Sequence, residues 1–197
     1  AYLESGFPLF TAMNQHQHAI VLAGYSWSAT PSTPPYDISH VWEQVESFLA
    51  VDDNLLPYGC VPVDPLIALG PAPGPQPHYK SFDFDAFLVA LPEKIFYSAS
   101  AVGHQSLAFY RTLKALKPTM MPAEDQLLRR YFITTVSALR RHASERRSEL
   151  GDDLVNMIMR LSTAQFVWIV EYASFEQWSK GHVAARAILA ATASPHD

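Results

Sequence analysis

The chain reads as an α+β fold with a mostly antiparallel sheet, and three observations carry that reading. Apolar residues alternate in short runs through the first half, helical spacing enters near residue 107, and the two patterns mix without a regular strand–helix–strand alternation. The 197 residues, 49% of them hydrophobic, supply enough material for one substantial core. The chain is accordingly read as a single domain over 1–197.

The opening AYLESG reads as the last turn of a helix stopped by Gly6. It has neither an initiator methionine nor the regions of a signal peptide, so the chain is expected to begin inside a larger polypeptide. A buried strand follows over 8–13, and after a polar stretch His18 opens a second apolar strand over 19–25. The proline-rich link SATPSTPPYD cannot continue a ladder and reads as a loop. Ser39 is placed to cap a short helix with Val41, Trp42 and Val45 on one face, before the run 48–51 enters the acidic turn Asp52-Asp53-Asn54. Residues 62–80 have the composition of an extended, proline-rich surface loop.

Strand patterns return over 85–91 and 94–97, with Pro92 marking an edge or a bulge. Leu107, Tyr110, Leu113 and Leu116 then recur at helical spacing, and Pro118 stops them. Residues 124–147 form a second helix candidate, although the central YFITTV favours strand pairing. FVWIVEY, 166–172, is a strand, and 184–193 fits either state.

Bulk properties exclude several functions. A net charge of −5 and a pI of about 5.9 oppose a phosphate backbone, so no nucleic-acid partner is expected. The longest apolar stretch, 154–175, is interrupted by Arg160 and Glu171, so no membrane span is expected. Cys60, the single cysteine, excludes an internal disulfide and any CxxC site, which fits a reducing compartment such as the cytoplasm.

The residues suited to chemistry are His18, Asp52 and Asp53. A histidine at the mouth of a strand has a fixed backbone while its ring faces a cleft, and imidazole titrates near neutral pH. A carboxylate from the end of a neighbouring strand then fixes the tautomer, as in a nucleophilic triad. The bland alternatives are a strand-end histidine bonded to backbone and an Asx turn at Asp52-Asp53-Asn54. His16 and His18 share a strand face, and Asp52, Asp53 or His40 would have to supply a third metal ligand. That spacing matches no zinc signature, so neither metal nor cofactor is expected.

Cys60 sits in a turn followed by extended chain, without a helix N-terminus to activate it, and is expected to be a buried small hydrophobe. No GxSxG elbow and no GK[ST] phosphate loop occurs. Arg140, Arg141, His142, Arg146 and Arg147 alternate with Glu145 and Glu149 as on a solvated helix face. Trp168 and Trp178 read as core and near-surface packing residues.

The run GFPLFTAMNQHQHAIVLAGY is similar to the second half of a papain-like cysteine peptidase of the C39-like type, in which a GxPv strand precedes HaivivGY. FLAVDDNLLPY resembles the acidic end of the following strand in that group, and FLVALPEKIFYSA and QFVWIVEYAS resemble segments of bacterial proteins carrying such a domain. The resemblance implies a papain-like fold, His18 as general base, and Asp52 or Asp53 as its orienter, Asp52 being preferred because it directly follows the strand. It implies a peptide or a small amide or thioester as substrate. In such enzymes the nucleophilic cysteine lies on a helix before the histidine, and nothing before His18 is a cysteine. The implied function is therefore a cysteine-hydrolase domain whose nucleophile segment is missing. The alternative is a non-catalytic binding module that keeps the fold, with a permuted mechanism through Cys60 ranked last.

Overall fold

The structure, a computed structural model, describes residues 1–13, 18–27, 38–54, 58–63 and 84–192. His16, the 28–37 link and most of the 62–80 loop lie outside the described residues. The chain divides into two compact units, Tyr2–Leu91 and Pro92–Asp197 with Ala1, whereas the single-domain reading drew no boundary at 91. Each unit has its own antiparallel sheet, so the architecture is α+β.

The N-terminal unit opens with a 3-10 turn, Leu3–Ser5, which Gly6 closes in the left-handed region at φ 83°. Strands β1 (Leu9–Met13), β2 (His18–Trp27), β3 (Ile38–His40), β4 (Val45–Val51), β5 (Gly59–Pro62) and β6 (Phe84–Val89) follow. Five of them form one sheet in the order β5-β4-β2-β1-β6. Alternation determines what the sheet buries. Ile20 and Leu22 of β2, Met13 of β1, Ala50 of β4 and Val61 of β5 make the core cluster, with Leu9, Phe48 and Phe84 against it. The segment expected to be a helix after Ser39 is only a 3-10 turn, Val41–Gln44, because Val45 already belongs to β4. Pro62 likewise closes β5 rather than opening a loop.

The C-terminal unit contains α1 (Ala99–Leu116), β7 (Leu127–Thr135), α2 (Val136–Glu145), α3 (Arg147–Leu150), α4 (Asp152–Arg160), β8 (Phe166–Ser174), α5 (Phe175–Ser179) and β9 (Ala185–Ala190). β8 runs between β7 and β9 and is buried on both faces from Val167 to Ala173. One sheet face, with Arg129 and Tyr172, meets α1: Arg129 Nη1 donates to the Gly103 carbonyl (3.0 Å), and Tyr172 Oη donates to the Ser106 carbonyl (2.7 Å). Ser98 caps α1 by accepting the Ala101 N–H, and α1 buries Val102, Ser106 and Tyr110. Of the stripe expected at 107–116 only Tyr110 is buried, and Leu116 is exposed.

Two further expectations are resolved or corrected, and one helix is added. The ambiguous 124–147 segment divides at Thr135, whose hydroxyl accepts the Ala138 N–H, into β7 and α2. The 94–97 segment is not a strand. Its Phe96 and Tyr97 N–H groups both donate to the Ala191 carbonyl, which a ladder could not accommodate. Helix α4, which the sequence reading did not identify, begins after Gly151 at φ 81° with Asp152 and Asp153 in its first turn and Arg160 in its last, favourable charges for its dipole. No helix of the described residues is long and apolar enough to cross a membrane.

Candidate catalytic pair on the N-terminal sheet

His18 is the first residue of β2 and lies opposite Met13 of β1. It therefore shares a face with Ile20 and Leu22, the core face of the sheet, at the point where that face runs out of apolar cover. β4 runs antiparallel to β2, with Val51 opposite Val21 and Ala50 opposite Leu22. Continuing that register beyond Val51 puts Asp52 on the face of Ala50, which is also the face of His18. Between Leu22 and Gly24 the ladder slips by one residue, a bulge that increases the local twist farther along the strand.

His18 Nε2 lies 2.9 Å from Asp52 Oδ1. The Asp52 side chain is 5% exposed and that of His18 26%. The same Asp52 oxygen accepts the backbone N–H of Asn54 at 2.9 Å, so an Asx turn fixes the carboxylate. Asp53 points outward, 84% exposed, with its Oδ1 3.6 Å from the ring nitrogen. Asn54 Nδ2 donates to Asp53 Oδ1 at 3.2 Å and stands 3.4 Å from His18 Nε2. An ionised carboxylate only accepts hydrogen bonds, so the short Asp52 contact assigns the proton to Nε2. A protonated Nε2 cannot accept from Asn54, which leaves the amide to Asp53.

The consequence is chemical. With Nε2–H held by Asp52, the lone pair of a neutral imidazole resides on Nδ1, and no described residue hydrogen-bonds that atom. Asp52 orients the ring so that Nδ1 is the atom open to a proton. His18 Nε2 and one oxygen each of Asp52 and Asp53 also lie within 4.8 Å of one another, so these three could hold a divalent cation. Doing so would require Nε2 to lose its proton and its hydrogen bond to Asp52. His40, the other residue considered as a ligand, lies on β3.

Cys60 departs from expectation because it is exposed rather than buried. β5 is an edge strand of the sheet, and its inward residue is the neighbouring Val61. Cys60 pairs with Leu49, which pairs in turn with Gly24, six positions along β2 from His18. At ~3.3 Å per residue that separates it from the imidazole by about 20 Å of strand length. The Asx turn weighed from sequence as the bland alternative at Asp52-Asp53-Asn54 is present, together with the His18 contact and not in place of it. The Asn54 backbone N–H is the second hold on Asp52. Comparison with protein-family models, with curated proteins and with solved structures finds no match to this chain.

Proposed function

We propose that the N-terminal unit carries the base and orienter of a papain-like, C39-like cysteine hydrolase acting on a peptide or on a small amide or thioester. The observation that supports this reading most is the contact between His18 Nε2 and the buried Asp52 carboxylate, which leaves Nδ1 as the basic atom. His18 is the general base, Asp52 the orienting group, and Asp53 a solvent-exposed contributor to the field around the ring. A thiol brought to Nδ1 would give up its proton there, attack the carbonyl carbon and form the acyl–sulfur bond. The imidazolium would then protonate the leaving amine or thiolate. Cys60 is not that thiol, because the sheet places it far along the strands from His18.

The reading is tested by supplying the nucleophile. A small thiol such as 2-mercaptoethanol is added with a panel of peptide thioesters, and thiolysis is followed for the wild-type chain, His18→Ala, Asp52→Asn and Cys60→Ser. Wild type and Cys60→Ser should accelerate thiolysis by on the order of a hundredfold over His18→Ala, the usual contribution of a positioned base. Asp52→Asn should lose most of that acceleration by favouring the wrong tautomer. Without added thiol none of the chains should turn over substrate. Equal rates for wild type and His18→Ala would favour the alternative, a binding module that retains the fold and not the reaction.

A further inference from the structure

The sheet of the C-terminal unit has a second face, opposite the one that meets α1, and a cavity of about 490 Å³ opens there beneath α2 and α5. The strand register places three charged residues in a row across it: Arg130 of β7 opposite Glu171 of β8, and Glu171 opposite Arg186 of β9. Arg130 Nη1 donates to Glu171 Oε2 (3.2 Å), and Arg186 Nε donates to Glu171 Oε1 (2.8 Å). The Glu171 side chain is 6% exposed, and each of its oxygens is engaged by a different guanidinium.

One carboxylate between two guanidiniums leaves a surplus positive charge. Burying Glu171 requires a partner, but one arginine would suffice for that purpose. The second arginine is attached through Nε alone, and among the described residues its Nη1 and Nη2 groups make no hydrogen bond. The planar donor fork suited to a carboxylate or phosphate is thus held in place and unspent. Arg130 is fixed over Phe132 (4.8 Å) and Trp178 (5.3 Å), so the aromatic wall is also braced. Arg146 lies at the rim, and Leu139 and Ile169 supply apolar surface. Volume, apolar walls and a few convergent polar groups are the attributes of a small-molecule site.

We propose that this cavity binds a small organic anion, its acidic head on the Nη groups of Arg186 and its apolar or aromatic body against Phe132, Leu139 and Ile169. Nothing in this depends on the reaction assigned to His18. Arg146, from the basic cluster read from sequence as a solvated face, also lines the cavity, with its guanidinium engaged by Glu149.

The experiment is calorimetric titration of the purified chain with phenyl phosphate, inorganic phosphate and benzyl alcohol, with tryptophan fluorescence as a second readout. Phenyl phosphate should bind saturably and at least about tenfold more tightly than inorganic phosphate, while benzyl alcohol should give no saturable signal. Arg186→Gln should weaken phenyl phosphate by about tenfold or more, and Arg141→Gln, a charge change outside the cavity, should leave it unchanged. Should Arg186→Gln fail to fold, Arg186→Lys keeps the charge beside Glu171 but lacks the fork, and it should weaken binding in the same direction. No saturable binding of phenyl phosphate would overturn the proposal. Equal affinity for the three probes, or unchanged affinity in the folded Arg186 variants, would overturn it as well.

Discussion

Asp52 and Asp53 carry the same side chain one residue apart, yet the first is 5% exposed and the second 84%. The difference is the parity of β4: Phe48, Ala50 and Asp52 fall on the core face, and Asp53 falls on the other. Removing Asp52 strips acceptors from the Asn54 N–H and from the His18 ring at a mostly buried position. Asp52→Ala should cost about 1–3 kcal/mol of stability, whereas Asp53→Ala should stay within about 0.5 kcal/mol. Chemical denaturation of the two variants measures both. A loss of the same size in Asp53→Ala would mean that the outward carboxylate carries structure. His18 and the acidic pair were legible in the sequence because a polar group interrupts an apolar run at a strand end in both places. Which aspartate turns inward was not legible, since 48–51 are apolar in both parities. Cys60 was misread for a related reason: small apolar residues are commonly buried, but an edge strand turns every second one outward.

At the scale of elements, the seat of α1 on its sheet depends on a glycine. A Cβ at Gly103 would stand 3.1 Å from Tyr131 Oη and 3.6 Å from Cζ. Tyr131 is buried and lies edge-on to Trp168, with ring centroids 6.3 Å apart, so it has little room to yield. Gly103→Ala should therefore forfeit the ~1 kcal/mol that alanine normally brings to a helix interior and end net destabilised by about 1 kcal/mol. Adding Tyr131→Phe removes the colliding oxygen, so the double variant should recover stability relative to Gly103→Ala, seen as a favourable coupling in a double-mutant cycle. Additive losses would contradict this account of the contact. The apolar runs of β1, β2 and β8 were readable from sequence to within a residue or two, β8 as an unbroken run because both its faces are buried. The 94–97 run was not, because its apolar character serves to pack Ile95 and to donate Phe96 and Tyr97 to Ala191, tasks that pattern alone does not distinguish from pairing. Helix α4 escaped because its apolar residues merge with those of β8 into one long run, 154–175, that only the short loop 161–165 divides.

Across the molecule, two buried phenols link the fold of the C-terminal unit to alkali. Burial raises the pKa of Tyr172, partly opposed by Arg129, and burial with Glu124 and Asp125 nearby raises that of Tyr110. Each hydroxyl donates to a backbone carbonyl, Tyr172 to Ser106 and Tyr110 to Pro122, both at 2.7 Å. The unfolded chain loses these protons near the ordinary phenol value of about 10, while the folded chain retains them to higher pH, so the folded state binds more protons in that window. Stability contributed by the neutral phenols is complete below that value and falls as pH rises above it, by up to about 1.4 kcal/mol per pH unit for each. Denaturation midpoints measured across the alkaline range should decline accordingly, and the decline should shrink in Tyr110→Phe. A flat profile would contradict the buried-phenol account. The proposed chemistry lies in the N-terminal unit, and there the account stands on a single proton. Heteronuclear NMR of the histidine ring nitrogens, recorded at a pH where His18 is neutral, locates that proton directly. The account predicts the Nε2–H tautomer for His18, lost in Asp52→Ala and kept in Asp53→Ala; a proton on Nδ1, or a tautomer mixture unaffected by Asp52, would contradict it.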